Sequence, residues 1–279
     1  MERITSRQNP IVKRFRELSR ARGGPRDAEV LLDGAHLVHE ALVAGVTVEM
    51  AAFADRQMTA GETADIAAAV ARGGGRVISV SDRVLAAISP VQHPSGVVAI
   101  GRAPAARLDD VFAAAPQLIA VLAGLQDPGN VGAIVRTAAA CGATGLVAIE
   151  GTANPFGWKA LRGAMGGTFR LPVVQRGSLV DVIAAARERG VRLIAAVPRD
   201  GTPLPRVDLR SPVALLLGAE GAGVTDTMLA AADEEVTIPM RPPIESLNVA
   251  VAAALLLYEG SRQRGGPQMN TSHRNTSHR

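Results

Sequence analysis

The segment LAGLQDPGNVGAIVRTAAACG, residues 122–142, combines a turn, an asparagine and an arginine in a pattern that suits anion binding. An apolar strand is predicted to end in the turn at Pro128 and Gly129, and Asn130 is predicted to cap the helix that follows. Arg136 comes six residues later, which is about 9 Å along a helix. A helix N-terminus with a guanidinium nearby favours a phosphate-bearing substrate, although a capped helix with a surface arginine has the same local pattern.

A second segment, VALLLGAEGAG at residues 213–223, joins an apolar strand to a glycine-rich loop. Because Gly218, Gly221 and Gly223 carry no side chain, the backbone there can approach a ligand closely, and Glu220 is the one charged group in the loop. The glycine spacing differs from the dinucleotide-binding fingerprint, and its ribose-binding acid is absent. A nucleotide-dependent oxidoreductase is therefore a poor interpretation of this loop.

A third segment, VTIPMRPPIESLNVAVAAALLLYE at residues 236–259, leads from a short strand through a proline-rich loop into an apolar helix. Ser246 and Asn248 lie on either side of Leu247 where that helix is predicted to begin. Polar side chains at this position either cap the helix or contact a ligand, and capping is the ordinary interpretation.

These segments belong to a regular alternation of strands and helices. Continuous apolar strands such as QLIAVLA and VALLL, separated by helices, indicate a parallel sheet covered on both faces. Ligands of such sheets bind beyond the carboxyl ends of the strands. The sequence therefore predicts one ligand site at that edge, within a domain spanning residues 117–262.

The remaining chain divides into three further predicted parts. Residues 1–103 contain short apolar runs, such as EVLLD and SGVVAIG, that alternate with helical segments and predict a smaller α/β domain. Prolines and small residues in 104–116 predict a linker with a short helix. Residues 263–279 include the polar repeat NTSHRNTSHR, which has nothing to bury, and they are predicted to form a disordered tail.

Positive charge is concentrated at the start of the chain, where residues 1–26 contain eight basic side chains and only two acidic ones. The whole chain has a net charge of +4. This segment could neutralise the phosphates of a nucleic acid through Arg7, Lys13 and Arg14. A solvated basic helix is the alternative interpretation.

Metal, disulfide and membrane signals are weak. His36 and His39 are three residues apart but have no cysteine or carboxylate set beside them, so no metal site is predicted. The single cysteine, Cys141, cannot form an internal disulfide. No apolar run reaches the roughly 18 residues that span a bilayer, and no signal-peptide pattern is present, so we expect a cytoplasmic protein without a membrane partner.

Together, in this order and spacing, the three segments resemble motifs 1, 2 and 3 of the SpoU (TrmH) family of RNA 2'-O-ribose methyltransferases, in the SPOUT superfamily. The resemblance covers residues 117–262. The start of the chain, ITSRQNPIVKRFRELSR with LLDGAHLVHEAL, resembles the family's N-terminal substrate-binding domain. Asp33 and Ala164 stand where family members often have glutamate and serine.

The resemblance implies an α/β protein with a C-terminal parallel-sheet SPOUT domain that contains a deep trefoil knot, and a smaller N-terminal L30e-like α/β domain. It also implies S-adenosylmethionine as cofactor, RNA as substrate and a homodimer formed through the knot domain. The implied cofactor-binding residues are Gly218, Ile238, Leu247, Ala196 and Met240. The implied catalytic residues are Arg136, Asn130, Glu220, Ser246 and Asn248, and Arg136 would also contact RNA.

The implied reaction transfers a methyl group to a ribose 2'-hydroxyl, which requires alignment of that oxygen with the activated methyl. Arginine normally stays protonated in proteins, so Arg136 is predicted to hold a phosphate and polarise the hydroxyl, with base catalysis left open. The type of N-terminal domain favours ribosomal RNA of the 23S type. Methylation of transfer RNA and non-catalytic RNA binding are the alternatives, and the basic amino-terminal segment alone would suffice for the second.

Overall fold

The computed structural model describes residues 2–20, 29–55, 61–104 and 106–266. The first part of the chain forms a mixed five-stranded sheet with the order β1-β4-β3-β5-β2. Its strands are β1 (Glu2–Ile4), β2 (Glu29–Asp33), β3 (Val48–Ala54), β4 (Arg76–Val80) and β5 (Val97–Arg102). Its helices are α1 (Pro10–Arg20), α2 (Ala35–Val43), α3 (Glu62–Arg72) and α4 (Asp82–Ile88). The alternation predicted for this part is confirmed, except that β1 was not foreseen.

The α1 helix packs one apolar face against the cluster beneath the first sheet. Phe15 is fully buried, and Ile11 and Leu18 pack partly buried against the same apolar cluster. Val12 is buried beside them. The polar face of α1 keeps its basic side chains at the surface.

The second part of the chain forms a seven-stranded sheet with the order β10-β12-β9-β11-β6-β7-β8, and every neighbouring pair of strands is parallel. The strands are β6 (Leu118–Leu122), β7 (Gly145–Ile149), β8 (Val173–Gly177), β9 (Arg192–Ala196), β10 (Thr202–Pro203), β11 (Val213–Leu217) and β12 (Glu234–Thr237). The helices are α5 (Leu108–Ala113), α6 (Pro128–Ala140), α7 (Trp158–Ala164), α8 (Leu179–Glu188), α9 (Asp226–Ala231) and α10 (Val249–Gln263).

The central strands are buried along their whole length, because helices cover both faces of the sheet. All five residues of β6, and all five of β11, are buried. One apolar cluster lies beneath α6, α7 and α10, and another lies beneath α5, α8 and α9. The predicted parallel sheet is confirmed, and the trefoil knot stays a prediction.

The two sheets meet through α7. The Arg162 guanidinium of this helix donates to the Asp33 carboxylate at the end of β2, over 3.2 Å. A second ion pair joins Arg170 to Glu40 of α2. The predicted linker 104–116 contains the short helix α5, while the domain boundaries themselves stay predictions.

None of the helices described is long and apolar enough to cross a membrane. Among the described residues, no group of three or more histidine, cysteine, aspartate or glutamate side chains is placed to hold a metal ion. The NTSHR repeat lies outside the part of the chain that the structure describes.

Candidate functional site

A pocket of 440 Å³ opens at the carboxyl ends of β9, β11 and β12. Ala196 ends β9, Gly218 directly follows β11, and Ile238 directly follows β12. Neighbouring parallel strands bring these residues together although they are far apart in the chain. The pocket therefore lies where the strand pattern predicted a ligand site.

Gly218 forms part of the pocket because no side chain fits at that position. A Cβ atom there would lie 2.0 Å from the carbonyl carbon and oxygen of Gly223. The loop folds back on itself through two backbone hydrogen bonds between Ala219 and Gly223, of 3.0 and 2.8 Å. Since Gly221 and Gly223 have φ values of +85° and +70°, this tight turn favours glycine at both positions. The loop consequently presents backbone to the pocket.

The proline-rich loop before α10 supplies the opposite wall. Met240, Ser246 and Leu247 line the pocket from this loop, and Asn248 lines it from the helix start. The structure thus brings together all five predicted cofactor-binding residues. Their roles in binding a cofactor stay predictions.

Asn248 orients a three-residue polar network at the pocket edge. Its side-chain oxygen caps α10 by accepting from the backbone N–H groups of Ala250 and Val251. Its amide nitrogen is left to donate to the Asn130 side-chain oxygen over 3.2 Å. The Asn130 amide nitrogen then donates to the Glu220 carboxylate over 2.7 Å. Asn248 therefore caps α10, which was the ordinary interpretation, and it also lines the pocket, while its contact with a ligand stays a prediction.

The prediction that Asn130 caps α6 is wrong, and its side chain is therefore available for the network. The α6 helix begins at Pro128, and the N-cap is Asp127, whose carboxylate accepts from the Gly129 N–H over 2.8 Å. Proline at the first helical position loses no helical hydrogen bond, which favours this earlier start. Asn130 therefore lies inside the first turn, with its side chain available for the network.

The network keeps Glu220 ionised. The hydrogen bond from Asn130 lowers the pKa of the Glu220 carboxyl below its ordinary value of 4.5. Backbone N–H groups, including that of Gln126, act in the same direction. The pocket edge therefore carries a negative charge at neutral pH.

The charge of the pocket lining discriminates between ligands. Among the described residues that line it, Glu220 is the only charged one, and there is no lysine or arginine. A pyrophosphate-bearing dinucleotide would find no cation there. A nucleoside that carries a positive charge, as S-adenosylmethionine does on sulfur, fits apolar walls with one carboxylate at the edge.

Arg136 does not line this pocket. It lies on α6 with an exposed side chain, and within the described ranges it makes no hydrogen bond or ion pair. Glu220, Ser246 and Asn248 thus line the pocket, and Asn130 is hydrogen-bonded to two of them, whereas Arg136 lies outside the wall. The catalytic role of Arg136 stays a prediction.

The basic residues predicted to contact RNA are partly committed to other contacts. The Arg14 guanidinium lies between the carboxylates of Glu29 and Glu49. Lys13 pairs with Glu17 at 3.8 Å within α1. Arg7 donates to the backbone oxygen of Arg83 over 3.4 Å. Arg14 therefore has the least charge left for a phosphate, while RNA contact at all three stays untested.

Sequence reasoning missed several apolar residues of the pocket lining. They lie next to residues that the motifs did identify, and they include Val197, Pro198, Val249, Ala252 and Leu256. The helical members were detectable in principle, because Ala252 and Leu256 are four residues apart and hence on one side of α10.

The comparisons with known proteins agree with this geometry. Residues 117–258 match the SpoU rRNA Methylase family, and residues 9–99 match the MRM3-like substrate binding domain. The chain is 35% identical to an uncharacterized tRNA/rRNA methyltransferase of Synechocystis sp., over 94% of either chain. It is 31% identical to the 23S rRNA (guanosine(2553)-2'-O)-methyltransferase RlmP of Bacillus subtilis, over 92% of this chain and 98% of that relative.

A solved structure is similar along nearly the whole chain. The AdoMet-bound rRNA methyltransferase from Sinorhizobium meliloti superposes with a TM-score of 0.84 at 30% identity. The superposition covers 94% of this chain and 97% of the other. The similarity therefore extends over both sheets.

Proposed function

Because the chain belongs to the SpoU rRNA Methylase family, we propose that it transfers a methyl group from S-adenosylmethionine to a ribose 2'-hydroxyl of structured RNA. We propose 23S-type ribosomal RNA as the substrate, in line with the printed activity of the Bacillus subtilis relative. The observation that carries the proposal is the pocket at the strand ends, which is lined by the backbone of the glycine loop at Gly218 and by a single carboxylate, that of Glu220. Such a substrate is met in the cytoplasm.

The cofactor-binding role falls to the residues that form the pocket walls. S-adenosylmethionine, when bound, supplies a methyl group that is activated by the positive sulfur. Backbone groups at Gly218 and the apolar side chains of Ile238 and Leu247 would hold the adenosyl part, with Ala196 and Met240 beside them. Glu220 would stabilise positive charge at the pocket edge, because its carboxylate is ionised.

The network and Arg136 would act on the RNA. Asn130 is a positioning residue, since it ties Glu220 to the start of α10 through two hydrogen bonds. Ser246 and Asn248 would complete the pocket edge. The Arg136 guanidinium would hold an RNA phosphate and polarise the 2'-hydroxyl, since a protonated arginine can donate but cannot accept. The hydroxyl proton would pass to that phosphate or to water as the oxygen takes the methyl group and the sulfur leaves as a neutral thioether.

We propose a homodimer formed through α10. Val251, Leu255 and Tyr258 are 49%, 41% and 60% exposed, and their spacing places them along one side of the helix. An apolar stripe of this kind is typical of a surface that another subunit covers. The same helix contributes Ala252 and Leu256 to the pocket, so dimerisation and cofactor binding would be linked through it.

We propose that residues 1–103 form the RNA substrate-binding domain and that 104–116 link it to the methyltransferase domain at 117–262. The match of residues 9–99 to a substrate-binding domain supports this division. The proposed RNA contacts at Arg7, Lys13 and Arg14 lie in the first of these parts.

Methyl transfer from a radiolabelled donor to separate pools of ribosomal and transfer RNA tests the proposed function. We expect label in alkali-resistant linkages of ribosomal RNA. Arg136→Ala should lower the transfer rate about 100-fold, while titration calorimetry should show unchanged cofactor affinity, because Arg136 lies outside the pocket wall. Arg136→Lys, which keeps the charge, should recover part of the rate.

Two results would contradict these assignments. If the wild-type protein binds S-adenosylmethionine and RNA without transferring methyl to either pool, it is an RNA-binding protein. If Arg136→Ala transfers at the wild-type rate, the proposed role of that residue is wrong.

A further inference from the structure

A second, larger cleft lies between the two parts of the chain. Its volume is 1060 Å³, and it is lined by the end of α1, the loop after β7, the start of α7 and the end of β8. Three cationic side chains line it, Arg20, Lys159 and Arg176, against one carboxylate, Glu150. All four side chains are exposed. The cleft is thus a polar groove of net positive charge, unlike the pocket at the strand ends.

The three cations have no carboxylate partner in the part of the chain that the structure describes. Within residues 2–20, 29–55, 61–104 and 106–266, none of them makes an ion pair or a hydrogen bond, whereas Arg162 and Arg170 nearby along the chain are both paired. Lys159 lies over the indole ring of Trp158, with its Nζ atom 5.5 Å from the ring centroid. Free cations of this kind are suited to contact phosphates.

An irregularity of the β8 backbone positions the Arg176 side chain in the cleft. Ala148 pairs with Gln175 and Ile149 pairs with Gly177, so Arg176 is an extra residue in β8 and forms a β-bulge. Its φ of +55° lies in the left-handed region, which is unfavourable for a residue with a side chain. Bulges redirect side chains, and strained backbone of this kind concentrates at functional positions. The bulge makes Arg176 a cleft residue.

The cleft also contains the single tryptophan of the chain. Trp158 is partly buried, because one side of it packs against the apolar cluster of the first sheet. An aromatic ring beside cations is the combination that binds unpaired nucleotides, since bases stack on the ring and phosphates meet the cations.

A single turn separates this cleft from the pocket. Gln126 lines the cleft, and its side chain donates to the Gly151 oxygen over 2.7 Å. The backbone N–H of Gln126 also helps to lower the pKa of Glu220, and Glu220 lines the pocket. RNA in the cleft would therefore run alongside the turn that carries the Asn130 network.

We propose that this cleft is a groove for an unpaired RNA segment, in which Lys159, Arg176 and Arg20 contact phosphates and Trp158 stacks on a base. The proposal rests on the proposed function, because it assigns that function's substrate to a place on the protein. The main RNA contacts would then come from cations that have no ion-pair partner among the described residues, and not from Arg14, which is paired with Glu29 and Glu49.

Intrinsic tryptophan fluorescence tests the groove directly, since Trp158 is the only tryptophan. The probe is a 12-nucleotide single-stranded RNA of mixed sequence without self-complementarity, compared with the duplex that it forms with its complement. We expect the single strand to quench Trp158 and the duplex to quench it much less. Equal quenching by both, or none by either while RNA still binds, overturns the proposal.

The variant for this test is Lys159→Gln with Arg176→Gly. Glycine at 176 relieves the left-handed strain, so the variant should fold, which thermal unfolding and cofactor binding will check. Binding of the single strand should weaken roughly tenfold or more at 0.1 M salt, and the slope of log affinity against log salt should fall by about 1.4, at about 0.7 for each phosphate contact. Arg72→Gln with Arg206→Gln removes the same charge outside the cleft and should leave the slope near the wild-type value.

Failure of the groove and failure of the proposed function give different results. If the wild-type protein methylates RNA and the cleft variant keeps the wild-type salt slope and quenching, the groove is wrong. If quenching depends on Lys159 and Arg176 but the wild-type protein transfers no methyl, the groove stands and the enzymatic assignment is wrong.

Discussion

Asn248 shows how a side chain that caps a helix can also orient a network that reaches a charged group, because it is joined to Glu220 through Asn130. The α10 cap uses the Asn248 oxygen, so its amide nitrogen must face Asn130, and Asn130 in turn must offer its own amide nitrogen to Glu220. Each orientation follows from the previous one, because a carboxylate can only accept. Three sequence motifs thereby share one hydrogen-bonded chain.

The hydrogen-bond network from Asn248 through Asn130 to Glu220 predicts the effect of Asn130→Ala. Loss of a hydrogen bond to a charged group should weaken cofactor binding about fivefold, near 1 kcal/mol, at neutral pH. Since the Asn130 bond is the largest cause that lowers the Glu220 pKa, its removal should return that pKa toward 4.5. As the pH falls, Glu220 then loses its charge at a higher pH in the variant than in the wild type.

Titration calorimetry between pH 4 and 7 measures this shift. The control is Asn154→Ala, since the Asn154 side chain caps only its own turn, by accepting from the Phe156 N–H. Identical pH profiles for Asn130→Ala and the wild type would show that Glu220 does not contribute charge to binding.

For single residues, the sequence predicted which side chains lie close together at the pocket, but not which of their atoms donate and accept the hydrogen bonds. The motifs identified Asn130, Glu220 and Asn248, and the structure brings them within hydrogen-bond distance. The wrong cap assignment arose because Asp127, Asn130 and the proline between them all suit a helix start. Only the backbone geometry shows which residue accepts from the free N–H groups.

Among the elements, α10 has both a buried and an exposed apolar side. Ala253, Leu256 and Leu257 are buried in the core, while Val251, Leu255 and Tyr258 face solvent. A helix that is apolar all round is normally buried. The exposed side is therefore the surface that we propose for the second subunit.

Leu255→Glu tests that surface. A carboxylate placed in an apolar interface without a partner costs several kcal/mol, so we expect the dimer to dissociate into monomers in sedimentation equilibrium. Val180→Glu serves as the control, because Val180 is 71% exposed but lies on α8. A dimer that survives Leu255→Glu but not Val180→Glu would place the interface elsewhere.

The long, periodic elements were predicted well, whereas several of the short ones were missed. The apolar strands and the helices between them follow directly from the alternation of the sequence. The strands β1 and β10 have three and two residues, too few for a period to appear. The helix α9 has six, although its cap Thr225, which accepts from the Met228 N–H, gave a usable signal.

Across the whole molecule, two ion pairs join the sheets and respond to pH in opposite ways. Asp33 is buried, with its carboxylate held by Ser89 at 2.7 Å and by Arg162 at 3.2 Å. Burial raises the pKa of Asp33 above its ordinary value of 3.8, despite both partners. The hydrogen bond from Arg170 instead lowers the pKa of Glu40 below 4.5, with further contributions from its other neighbours.

The sign of each shift fixes a separate expectation. A carboxyl whose pKa is raised in the folded state binds its proton more tightly there, so its contribution to stability is present below pH 3.8 and is lost as the pH rises through the raised pKa. Glu40 contributes above pH 4.5, and that contribution is lost as the pH falls through its lowered pKa. As the pH rises through the acidic range, the stabilising contribution of Asp33 is therefore lost and that of Glu40 is gained.

Urea unfolding of Asp33→Asn and Glu40→Gln from pH 3 to 7 measures both effects. Asparagine can still accept from Arg162 without a buried charge, so the free energy of unfolding of Asp33→Asn should rise relative to the wild type as the pH increases, by about 1 kcal/mol at neutral pH. The free energy of unfolding of Glu40→Gln should fall relative to the wild type over the same range, because the wild type gains its ion pair with Arg170. If both variants lose stability as the pH rises, the Asp33–Arg162 attraction outweighs the burial of Asp33, and the junction is held by two ordinary ion pairs.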